Sequence, residues 1–223
     1  MLANFSIFSS LLPIIFFVIF CIKKATREVW VIFLCSTASF LIDGIVKLFP
    51  WATQHKFLIW NFYSILEFSL YSFFFYLIIR SRKIRLLIIT FLLLYLVVFF
   101  LSSRAINDEF NSMMSAISSV ILIILCLIYF MTTMKPSVEP VNVLTPLFLI
   151  VVAIFIYVTS TLFLYLIVNR LSTTEMHNYW KINDYSNILT NVILSFAFIL
   201  YRFHYKNPPP ENHSVDFTSP NDR

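Results

Sequence analysis

Seven near-continuous apolar stretches, at about 7–22, 29–49, 57–79, 84–101, 110–134, 143–168 and 180–201, decide what this chain can fold into. Each approaches the roughly 20 residues that a helix needs to cross about 30 Å of hydrocarbon. Of the 223 residues, 60% are hydrophobic and only 12% charged, about half the charge of a typical water-soluble protein. The pattern predicts an all-α, polytopic bundle of seven transmembrane helices over 1–206, in the cytoplasmic (inner) membrane of a bacterium. The connections are short, which makes neighbouring helices antiparallel.

Basic residues set the expected orientation, because positive charge translocates poorly. One side of the predicted membrane has Lys23, Lys24 and Arg27, then Arg80, Arg82, Lys83 and Arg85, then Lys135, and finally Arg202, Lys206 and Arg223. The other has Lys47, Lys56, Arg104, Arg170 and Lys181. The richer side is assigned to the cytoplasm, which places the N-terminus outside and the C-terminus inside. The net charge of +5 is therefore explained by topology, and no nucleic-acid partner is expected. The first run has Lys23-Lys24 after it and no basic residue before it, the reverse of a secretory signal peptide, so it is expected to remain as helix one. Residues 207–223 are polar, contain Pro208-Pro209-Pro210 and read as a disordered cytoplasmic tail.

Cys21, Cys35 and Cys126 lie within apolar runs without ligand spacing and read as small buried hydrophobes. Gly44 is the only glycine, so GxxxG packing is ruled out and Ser, Ala and interlocking large side chains must make the helix contacts. Ser172-Thr173-Thr174-Glu175 fits a capping box and starts helix seven well before its apolar run, with its first turns in outside water.

Ionisable groups within the membrane cost at least about 2.5 kcal/mol on insertion scales and turn toward the bundle interior, which makes them the informative positions. In helix two, Ser36, Ser39, Asp43 and Lys47 share a face. Asp43 and Lys47 either neutralise each other, with Lys47 reaching the outer interface, or belong to a site. In helix three, Trp60, Ser64, Glu67 and Tyr71 lie along one face. Glu67 stands ten residues past Phe57, about 15 Å deep at 1.5 Å per residue, where a carboxyl group is expected to be protonated or paired. In helix seven, Trp180, Asp184, Asn187 and Asn191 form a stripe flanked by His177 and Lys181. His177 and Lys181 are equally read as solvated at the interface, and the asparagines as hydrogen bonds between helices. Helix six offers Tyr157, Thr159, Ser160 and Tyr165. These stripes occupy the outer half of the bilayer and are expected to converge on one outward-facing pocket between helices two, three and seven.

The layout has something in common with rhodopsins, but Lys181 lies near the start of helix seven and Glu67 lacks the surrounding aromatic pattern, which argues against retinal. Alkaline-ceramidase-like hydrolases need several histidines at one zinc; His55 and His177 fall on one side and His204 on the other, so no metal site is expected. Asn61, Tyr63 and Glu67, followed by Trp180, Asn183, Asn187 and Asn191, make the chain resemble an uncharacterised family of bacterial seven-helix proteins. Some of those relatives precede histidine-kinase domains, so the resemblance implies a sensory input role and a cytoplasmic signalling partner.

The leading expectation is a non-catalytic sensory or small-ligand-binding protein without cofactors. Its candidate ligand or proton-relay residues are Glu67, Asp184, Lys181, Asn187, Asn191, Asn61, Tyr63, Asp43, Lys47 and Trp180. The first alternative is a proton-coupled transporter or ion pathway using Glu67 and Asp184. The second is an intramembrane hydrolase with Ser36 or Ser39 as nucleophile and Asp43 nearby.

Overall fold

The computed structural model describes residues 2–101, 111–134, 145–167 and 173–206, with side chains described at 5–101, 111–134, 145–167 and 179–203. Among these residues every regular element is an α-helix. They are α1 (Leu2–Ser9), α2 (Leu11–Phe20), α3 (Arg27–Leu48), α4 (Pro50–Gln54), α5 (Lys56–Ile78), α6 (Arg82–Leu101), α7 (Ser112–Thr133), α8 (Pro146–Ile167) and α9 (Thr173–Lys206). Among the described residues five helices are long and apolar enough to cross a membrane: α3, α6, α7, α8 and the Tyr179–Phe203 part of α9. The chain is a multi-pass membrane protein. At 23 residues α5 has the length as well, but Lys56, Asn61 and Glu67 dilute its apolar character. The predicted tail at 207–223, Ser172 of the expected cap and the side chains of Glu175, His177 and His204 lie outside the described residues.

The first apolar run, expected as one helix, is divided between α1 and α2. Pro13 is the physical reason: it has no N–H to give to the Ser9 carbonyl, and its ring crowds that oxygen. Placed in the first turn of a new helix the same proline is harmless, since the N–H groups there have no intrahelical acceptor anyway. Two serines ease the break, Ser9 Oγ donating to the Ser6 carbonyl and Ser10 Oγ to the Ile7 carbonyl, each at 2.6 Å. A second proline ends α3: Phe49, before Pro50, is extended at φ −108° and ψ 118°, as the clash with a following proline ring demands. Pro50 then opens the short α4, an element not anticipated from the apolar runs.

Helices α2, α3, α5, α7, α8 and α9 contact one another in that order, and α9 returns to α2, closing a ring. Among the described residues the first and last helices therefore share a seam, whereas α6 stands outside and packs mainly on α5. Leu86, Leu93, Leu94, Val97 and Phe100 of α6 are exposed, forming an outer apolar face suited to acyl chains. Arg85 joins α6 to the preceding helix by donating from Nε to the Ile79 carbonyl at 2.6 Å, next to the C-terminal end of α5 where positive charge is favoured. Near the α2–α9 seam, Phe17 is fully buried and packs edge-on against Trp30 (4.8 Å between centroids) and Phe198 (5.5 Å), and stacks on Phe33 at 4.2 Å.

The three cysteines are free and buried, in keeping with their reading as small apolar side chains. Around Gly44 there is open space where a Cβ would go. The lone glycine is therefore not a point of close helix approach.

Candidate functional site

Four-residue steps return side chains to nearly the same side of a helix. On α3 such a step joins Cys35 to Ser39, with Ser36 beside them; on α5 it joins Tyr63, Glu67 and Tyr71. These faces meet Tyr157 of α8 and Asn187, Thr190, Asn191 and Leu194 of α9 around one cavity of about 30 Å³ inside the ring. That volume holds about one water molecule. Sites for drug-sized ligands run to roughly 300–1,000 Å³.

Glu67 is the only charged residue type in this lining. Its carboxyl is surrounded by phenols: Tyr63 Oη donates to Glu67 Oε1 at 3.1 Å, and the Tyr157 hydroxyl reaches the same group from α8. Ser39 meets Tyr63, and Cys35 meets Tyr71. On the far wall Asn191 Nδ2 donates to Ser9 Oγ at 2.9 Å, which ties the cavity to the break between α1 and α2. Thr190 Oγ1 donates to the Ala153 carbonyl of α8 at 3.4 Å. The arrangement can keep a proton on Glu67, or offer its carboxylate to a guest the size of water that carries positive charge or donates hydrogen bonds.

Carboxyl groups continue from there toward one end of the ring. Asp43, one turn beyond Ser39, is near enough to Glu67 for their charges to interact, and it interacts in the same way with Asp184 of α9. At this end Trp60 of α5 and Trp180 of α9 lie 5.7 Å apart.

The chain matches no protein-family model, no curated protein and no solved structure.

Of the candidate residues, Glu67, Tyr63, Asn187 and Asn191 line the cavity. Asp43 and Asp184 extend it as neighbouring acids, and Trp180 pairs with Trp60 beyond them. Lys47 and Lys181 are exposed and do not line it. Asn61 faces α7 instead: it is buried, and its Oδ1 accepts the Asn111 N–H at 3.0 Å. Ser64, expected on the Glu67 face, meets Ser115 of α7 at 3.2 Å. These contacts begin a polar seam along α7, in which Ser118 and Ser119 each donate to the Ser115 carbonyl at 2.9 Å. In α8, Thr159 and Ser160 bond to carbonyls of their own helix, Thr159 to Phe155 and Ser160 to Ile156, leaving Tyr157 as the residue that reaches the cavity. Ser36 and Ser39 line it, and among the described residues of the lining there is no imidazole or ammonium to take a hydroxyl proton.

Thr190 and Ser9 were not singled out from the sequence, and Cys35 was read there only as a small buried hydrophobe. Cys35 precedes Ser39 by one turn and Thr190 lies within the Asn187 to Leu194 stripe, so helical spacing alone could have found both. Ser9 had no such signal, because its partner is 182 residues away.

Proposed function

We propose that this chain is a non-catalytic sensory or small-ligand-binding protein of a bacterial inner membrane, and that the Glu67 cavity is its working site. The observation that carries this reading is the Glu67 carboxyl held among tyrosine hydroxyls inside the ring, beside a space of about 30 Å³. An ionisable group at such depth is costly, and function is its default explanation. The size of the cavity limits the occupant to a proton with its water or a small cation. α1–α2 together, α3, α5, α6, α7, α8 and α9 make the seven crossings of this reading, with the N-terminus outside. In support of that orientation, Tyr201 brings the end of α9 to the α2–α3 turn, so that Lys23, Lys24, Arg27 and Arg202 gather at one end of the bundle. The cavity then opens outward, and a cytoplasmic signalling partner would meet the basic end.

Tryptophan emission tests this reading, because the Trp60–Trp180 pair stands near the acids, and a Trp180→Phe variant isolates its contribution. Over a pH titration, purified protein should show a change in that emission, and Glu67→Gln should remove most of it. Identical titrations in the two proteins would overturn the proposal.

The succession Glu67, Asp43, Asp184 favours a second reading, a proton pathway. In proteoliposomes under a pH gradient, uptake of protons by the wild type should exceed that of Glu67→Gln and Asp43→Asn. Wild-type vesicles no leakier than protein-free ones would eliminate it.

A further inference from the structure

A second and larger concavity lies at the other end of the bundle. It occupies about 390 Å³ between the last turn of α2, the Cys21–Lys24 turn and the end of α9. Its chemistry is divided in two. Lys23, Lys24 and Arg202 supply positive charge, and among the described residues no acidic side chain lines it; Val18, Ile19 and Ile22 supply an adjoining apolar wall that is 46%, 59% and 45% exposed.

The cationic rim is held in place. Tyr201 Oη accepts the Thr26 N–H at 3.1 Å and donates to the Lys24 carbonyl at 3.1 Å, which fastens the lysine-bearing turn to α9 one residue before Arg202. The turn is closed by the Lys24 N–H on the Cys21 carbonyl at 2.9 Å, and Cys21 Sγ donates to the Phe198 carbonyl at 3.3 Å. Across it the Arg202 guanidinium lies 5.4 Å above the Phe20 ring.

A free anion would use only the cations, and a neutral lipid only the wall. We infer that this groove binds one anionic glycerophospholipid, its phosphate at Lys23, Lys24 and Arg202 and an acyl chain along Val18, Ile19 and Ile22. Charge complementarity is the ground for this occupant: three cations at the end of apolar helices meet a headgroup phosphate, and apolar side chains continue where the acyl chain begins. The inference requires only that the helices cross a bilayer. It is independent of the Glu67 site and of which leaflet the basic end faces.

The test is competitive lipid retention. Full-length protein is reconstituted in mixed phosphatidylglycerol and phosphatidylcholine vesicles, then extracted, and the bound lipid is identified by native mass spectrometry. Wild type should retain phosphatidylglycerol preferentially. Lys23→Gln combined with Arg202→Gln should cut that preference about tenfold, while Arg82→Gln with Lys83→Gln, an equal loss of exposed charge at the start of α6, should leave it unchanged. Ile19→Trp fills the apolar half while keeping every charge, so topology is preserved, and it too should weaken retention. Equal losses in both double variants would reduce the effect to bulk charge and overturn the inference. So would an undiminished preference in Ile19→Trp, or displacement of the lipid by inorganic phosphate, which would make this an ion site.

Discussion

Phe17→Ala should destabilise the folded bundle by about 2–4 kcal/mol, read as a lower unfolding midpoint in detergent or lipid. Phe17 is fully buried, and its ring meets Trp30, Phe33 and Phe198, so truncation empties a space walled by aromatic groups from α3 and α9. In soluble proteins Phe→Ala in a core costs about 3–5 kcal/mol. Part of that is transfer out of water, which is missing where the alternative environment is lipid, so the loss of packing and the residual cavity remain as the main terms. Phe17→Leu, which retains much of the volume, should recover most of the stability. A Phe17→Ala protein that unfolds like the wild type would show that the α2–α9 seam does not hold the ring together.

Asn61→Leu should cost about 1–3 kcal/mol and expose the first turn of α7 to hydrogen exchange. Leucine has nearly the shape of asparagine but cannot accept the Asn111 N–H, leaving that buried donor at the entrance of the helix without its side-chain acceptor. Asn111 itself caps α7 by accepting from the Met114 N–H at 3.4 Å, so the disturbance begins where the helix starts. The same variant should keep the Glu67-dependent tryptophan titration. Loss of that titration with unchanged stability would return Asn61 to the site and remove its structural role.

How much of this could be read in advance differs from residue to residue. The apolar runs located α3 and α5 to α9 because covering the hydrocarbon leaves helices little freedom in length. The break in the first run was also written in the sequence, in Pro13 after Ser9 and Ser10, but a long apolar stretch hides a local breaker when only its length is considered. Glu67 was legible because a carboxyl group in an apolar helix is conspicuous on cost alone. Asn61 and Tyr63 were grouped by a linear motif, yet two residues along a helix turn the chain by about 200°, so they look in different directions. Asp184 shares a stripe with Asn187 and Asn191 but precedes them by about one and two turns, which places it beside the cavity rather than in its lining. Ser9 and Asn191, close in space and far apart in the chain, could be paired only once the ring was known to close.

That closure orders events at the ribosome. Because the seam joins α1 and α2 to α9, the described helices made furthest apart in time, a nascent chain must wait for α9 before the circle is complete. Until then Ser9 has no Asn191, both edges of the incomplete wall face the translocation machinery or lipid, and a truncated product would be left with an unsealed gap however well its separate helices insert.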